Sequence, residues 1–189
     1  MDVKKLYDDY EAYIIEMRRW FHRHPELSLK EQNTSRKIQE ELRGMGIPFE
    51  VLAPNCGVAA TIKGGKEGKT IALRADIDAL PVKEETGLEF ASENEGAMHA
   101  CGHDAHIAMM LGAAKVLNEV KEELAGTVIC VFQVAEETGF GYKEVLDYFD
   151  SIGGVDSVIG LHIWSTLPEG EILLIPNSVF AGGVGYDLT

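Results

Sequence analysis

Residues 98 to 106 read MHACGHDAH, and this short stretch holds three of the chain's six histidines together with a cysteine and an aspartate. Cys101 and His103 flank a single glycine just before a segment of helical periodicity. Two other places carry comparable chemistry: the pair Glu136-Glu137 follows the apolar run ending VFQV, and His162 stands near the end of VIGLH. A thiolate, two imidazoles and a carboxylate brought to one point suit a borderline cation such as zinc, and manganese or cobalt accept nitrogen and oxygen donors as well. Each piece alone has a plainer reading. A Cys-x-His can lie in a capping turn or an exposed loop, acidic pairs open surface helices because they complement the helix dipole, and a histidine in an apolar strand is ordinarily hydrogen-bonded core. Their joint occurrence at successive strand ends is what favours a metal centre. The competing chemistry is a thiol nucleophile, Cys101 with His103 or His162 as its base. It places a reacting pair two residues apart on a loop and leaves both glutamates without a task.

The elements that must position these groups follow from periodicity. Leu6, Tyr10, Ile14, Met17 and Phe21 recur at helical spacing up to His24-Pro25, where proline disfavours continuation. A second helix is expected over 29 to 45, with Ile38, Leu42 and Met45 as its stripe and Gly46 as the residue that ends it. Short β-rich runs follow at 49–52, 58–62 and 70–76. A helix is expected over 105–120, a strand buried on both faces over 127–134, a short helix over 142–149, another buried strand over 157–164 and a last strand over 171–175. This alternation describes an α/β fold, its sheet mostly parallel or mixed, with helices on both faces. In such sheets ligands bind beyond the carboxyl ends of the strands, which is where all three candidate places fall. Cys130, inside VICVF, reads as core packing, and Cys56 as a turn residue.

Composition narrows the function further. The 189 residues carry 31 Asp and Glu against 17 Lys and Arg, a formal charge of −14, which repels nucleic-acid backbones and anionic membrane surfaces. Neither partner is expected. The charged start lacks the apolar core of a signal peptide, and no apolar run reaches membrane-spanning length. Three scattered cysteines do not make a disulfide framework, so a cytoplasmic protein with reduced thiols is expected.

Five ordered stretches, RRWFHRHPELSLKE, ALRADIDALPVKEETGLEFAS, MHACGHDAHIAMMLGAAKVL, VFQVAEETGFG and VIGLHIWSTLPEGEI, together resemble the amidohydrolase branch of the dinuclear metallo-aminoacylase and carboxypeptidase family. That branch includes hippurate hydrolases, auxin-conjugate hydrolases and N-acetyldiaminopimelate deacetylases. The resemblance implies a zinc-peptidase-like catalytic domain with two divalent ions, zinc, manganese or cobalt. It implies Cys101, His103, Glu137 and His162 as metal ligands, Glu136 as the general base and Asp78 as a supporting aspartate that orients a ligand. Asp76 falls where the wider family usually has a histidine ligand. The implied reaction is hydrolysis of the amide bond of a small N-acyl amino acid or related conjugate, water being acidified by the cation and deprotonated by Glu136.

His22, His24 and Glu26 lie in the family's HxxPELS surroundings and are read as structural, while Asp104 and His106 are read as helix-opening or capping residues. Val134 departs from the proline usual in QPAEE. Residues 1–176 correspond to the N-terminal portion of the catalytic domain and 177–189 to the start of a lid-domain strand; the rest of the lid and the final histidine ligand of the family have no counterpart here. The expectation is therefore an incomplete dinuclear site holding one metal or none, little activity from this polypeptide alone, and exposed apolar surface that favours a homo-oligomer. The alternative is a noncatalytic metal-binding or association module on the same scaffold.

Overall fold

A computed structural model describes residues 3–174. Helix α1 (Val3–Arg23) ends at the step before Pro25, and its stripe delivers Met17 and Phe21 into the core. Helix α2 (Gln32–Gly44) buries Ile38 and Leu42. Gly46 follows it at φ +69°, the left-handed conformation that closes a helix at low cost for glycine.

Strands β1 (Phe49–Val51), β2 (Val58–Lys63), β3 (Lys66–Asp76), β4 (Ala125–Gln133) and β5 (Ser157–Gly160) form one mixed sheet in the order β1-β2-β4-β3-β5. Strand β2 is antiparallel to β1 and β4, whereas β3 lies parallel between β4 and β5. Helix α3 (His103–Glu119) connects β3 to β4 together with a short 3-10 turn, and α4 (Tyr142–Ser151) connects β4 to β5.

The alternation of side chains along the strands builds two cores, one on each face. Val58, Ala60, Ala75, Cys130 and Phe132 face α1, α2 and α3. Ala59, Ala72, Ile129 and Val131 face Val145, Tyr148 and Phe149 of α4. β4 is thus covered on both sides, and its continuous apolar sequence has that cause; Cys130 is fully buried packing within it.

Two expectations are corrected. The run SVIGLHIW is not a buried strand: β5 covers only Ser157–Gly160 and lies at the open edge of the sheet, with Val158 54% and Ile159 50% exposed. Having β3 as its sole described neighbour leaves its second edge and much of both faces uncovered. Residues 171–174 of the expected last strand are not in a strand, and Ile172 and Leu174 are exposed; Ile175 and the segment 177–189 lie outside the described residues. Among the described residues, no helix is long and apolar enough to cross a membrane.

The carboxyl ends of the three parallel strands, Asp76, Gln133 and Gly160, open on one rim, and α3 begins there with His103.

Candidate metal centre

His103 is the hub of the rim. Its side chain is fully buried, and Nδ1 lies 2.9 Å from the backbone carbonyl oxygen of Asp78. A carbonyl only accepts, so Nδ1 carries the proton and the lone pair stays on Nε2. That Nε2 has no hydrogen-bond partner. It faces three carboxylates, with Asp76 Oδ1 at 3.6 Å, Glu137 Oε1 at 3.7 Å and Glu136 Oε2 at 3.9 Å.

Asp78 braces both sides of this arrangement. Its Oδ2 accepts the Ser28 hydroxyl at 2.6 Å and the Glu137 backbone N–H at 3.0 Å, while Oδ1 stands 3.4 Å from His103 Nδ1. Cys101 Sγ is 3.4 Å from His162 Nε2. One donor atom from each of Cys101, His103 and His162 lies within 4.8 Å of the others, and the same holds for His103, Glu136 and Glu137 and for Asp76, His103 and His106. Every residue singled out at the rim from the sequence is therefore brought to one place, despite separations of up to eighty-odd positions along the chain.

The two glutamates reach the site through a strained turn. Ala135, immediately before them, has φ 51°, a left-handed value that a residue with a Cβ adopts only under constraint. The turn is held on both sides of Ala135: Glu31, a fully buried carboxylate, accepts the Ala135 N–H through Oε1 at 2.7 Å, and the Ala135 carbonyl accepts the Phe140 N–H at 3.2 Å. Gly102, between Cys101 and His103, has φ +103°, and a Cβ there would lie 2.3 Å from Ile163 Cδ1. Glycine is needed both for the turn and for the close seat of Ile163.

Burial, then the nearby Asp76 carboxylate, pushes Glu136 above the ordinary carboxylate range, which suits a group that must take and return a proton. Burial, then the Glu137 carboxylate, pushes the Cys101 thiol up to about 12. An activated nucleophile needs the opposite shift, so the thiol chemistry loses ground despite the short approach of His162. A buried lone pair without a partner, ringed by carboxylates and a thiol, is costly as it stands, and this donor set fits a divalent cation.

Sequence reasoning underrated His106. Asp104 stands in the first turn of α3 as expected, but neither it nor His106 makes a side-chain cap there. His106 Nδ1 lies 2.6 Å from Asp76 Oδ1, and its Nε2 accepts the Ile163 backbone N–H at 3.0 Å. Asp104 Oδ2 meets Arg18 Nε at 2.9 Å and His22 Nδ1 at 2.7 Å. The available signal was the spacing of His103 and His106, which puts both on one face of α3. His24, bonded through Nδ1 to the Trp20 carbonyl, and Glu26, accepting the Thr34 N–H, serve as structural residues. His99 is buried outside these donor groups, and burial pushes it down to about 4.

A mixed α/β sheet with histidine, cysteine and carboxylate donors gathered at the ends of its parallel strands defines the class: an α/β scaffold with a candidate metal centre at its strand ends. The profile of peptidase family M20/M25/M40 matches residues 72–177, and the chain belongs to that family. It is 41% identical to an N-acyl-L-amino acid amidohydrolase of Geobacillus stearothermophilus over 95% of this chain and 49% of the relative. It is 48% identical to thermostable carboxypeptidase 1 of Saccharolobus solfataricus over 89% of this chain and 44% of that protein. Among solved structures, the Bacillus subtilis YxeP protein, described as a dinuclear metal-binding peptidase of the M20 family, superposes with a TM-score of 0.81 at 45% identity, covering 85% of this chain and 45% of that one. The chain spans about half the length of the curated relatives it matches.

Proposed function

We propose that this chain forms the N-terminal part of a metal-dependent amidohydrolase that cleaves the amide bond of N-acyl amino acids or related small conjugates. In this reading residues 1–176 belong to the catalytic domain and 177–189 begin a lid. Cys101, His103, Glu137 and His162 would hold divalent cation, zinc, manganese or cobalt, with two ions in a complete site. Bound there, the cation would supply a Lewis acid that polarises the amide carbonyl and acidifies water. The chain's own residues do the rest. Glu136 takes the proton of the attacking water and returns it to the departing amine, Asp78 holds His103 and Glu137 in register, and the buried walls around His103 exclude competing solvent.

The observation that carries this reading is His103 Nε2, a buried lone pair without a partner that faces Asp76, Glu136 and Glu137. The small-molecule substrate class is supported by the names of the relatives, and the free thiols Cys56, Cys101 and Cys130 support a cytoplasmic setting. A noncatalytic module for metal binding or association is favoured by the exposed edge at β5. The test is elemental analysis after dialysis against Zn²⁺, Mn²⁺ or Co²⁺, followed by assays on a panel of N-acyl amino acids. It is run on this chain and on a version extended to the length of its relatives. Chelator-sensitive hydrolysis by the extended protein is expected. Metal uptake by both without hydrolysis by either would leave the noncatalytic reading in its place.

A further inference from the structure

Strand β5 ends at Gly160, so His162 lies on a segment that has already left the sheet. Besides the ring contacts of His162 itself, two contacts through the next residue hold that segment to the start of α3. The Ile163 backbone N–H donates to His106 Nε2 at 3.0 Å, and the Ile163 side chain occupies the space above Gly102 where a Cβ would otherwise stand. His106 is buried, its ring lying nearly parallel to that of His103 at 5.4 Å between centroids and edge-on to His162 at 4.7 Å.

We infer that His106 is a positioning residue, which with Gly102 clasps Ile163 and so sets His162 against Cys101 and His103. The proton arrangement is dictated by the partners. A backbone N–H can only donate, so His106 Nε2 is the bare nitrogen and Nδ1 holds the proton that goes to Asp76 Oδ1, 2.6 Å away. Asp76 is itself fixed by Arg74 Nη1 at 2.7 Å. The chain of contacts Arg74, Asp76, His106, Ile163 therefore links the end of β3 to the residue beside His162. With both ring nitrogens engaged within the protein, His106 is committed to this bracing and not to a cation.

This inference rests on the metal-centre reading, and the test separates the two. The intact chain is titrated with Co²⁺, the thiolate-to-cobalt charge-transfer band reporting Cys101 and the d–d bands reporting the number and type of the remaining donors. His106→Asn keeps a donor for Asp76 but is too short to accept from Ile163. His106→Gln restores an acceptor near the Nε2 position. Holding groups behind a ligand typically matter by about 10- to 100-fold in metal affinity, so His106→Asn should weaken Co²⁺ by that factor and alter the d–d bands, with His106→Gln recovering to within about threefold of the parent. Ile163→Ala, at a position exposed enough to leave folding intact, should weaken Co²⁺ in the same direction, and it decides the matter if His106→Asn does not fold. Parent-like affinity and spectra in both His106→Asn and Ile163→Ala would overturn the clasp, as would a His106→Gln as weak as His106→Asn. A parent chain that takes up no Co²⁺ would overturn the metal centre and the clasp with it.

Discussion

Glu136 and Glu137 are neighbours in the chain, yet Glu137 is tied to Asp78 Oδ2 through its N–H, while Glu136, whose carbonyl accepts the Gly139 N–H, follows directly on Ala135 at positive φ. Their substitutions should therefore separate. In a protein extended to full family length, Glu136→Gln should retain metal and lose turnover by about 10²- to 10⁴-fold, the range a positioned general base contributes. Glu137→Gln should instead lower metal content, as elemental analysis would show; equal metal loss in both variants would contradict this division. Glu31 belongs to the same scale. Its buried carboxylate is the partner of the Ala135 N–H, so Glu31→Ala should destabilise the fold by about 1–3 kcal/mol, the usual cost of leaving a buried donor unpaired. Urea denaturation measures that loss, and an unchanged midpoint would show that the turn holds itself. The sequence displayed Cys101, His103, Glu137 and His162 because their types are unusual at strand ends. It gave no sign of Glu31 and, for His106, only its spacing from His103, because their importance lies in partners more than a hundred and nearly sixty positions away.

Helix α1 is joined to the base of the site through His22, which lies between two carboxylates, Asp104 Oδ2 at 2.7 Å and Glu84 Oε1 at 3.2 Å. The hydrogen bond to Asp104 outweighs burial and raises the His22 pKa above 6.5. A raised folded-state value means that protonation favours the native state: the contribution is complete below 6.5 and disappears as pH climbs through the elevated value. Stability measured by urea denaturation should fall across that window in the parent and stay flatter in His22→Gln; parallel pH profiles would exclude the link. At this scale the helices and the interior strands were legible, because α1 and α2 each bury a stripe against one core and β4 is apolar on both faces between two. The edge was not. An apolar run such as SVIGLHIW looks the same whether the sheet continues past it or stops, since exposure depends on a neighbour that local sequence does not encode.

Among the described residues the sheet has an edge strand at each end, β1 on one side and β5 on the other. On β5 and the segment that follows it, the side chains of Val158, Ile159, Leu161, Ile163 and Trp164 are exposed, and apolar surface of this kind drives association. Sedimentation of the purified chain should show mass rising with concentration, and Ile159→Lys should reduce that rise while leaving the helical circular dichroism unchanged. A concentration-independent monomer would show that the patch is tolerated in water.

Which assembly results depends on the far side of the sheet, where β1 is only three residues long and largely exposed. Copies joined β5 to β5 would share a two-fold axis and stop at a pair, whereas β5 laid along β1 would leave a fresh β5 uncovered at every addition. The first mode levels off at twice the protomer mass; the second yields ribbons whose light scattering continues to climb.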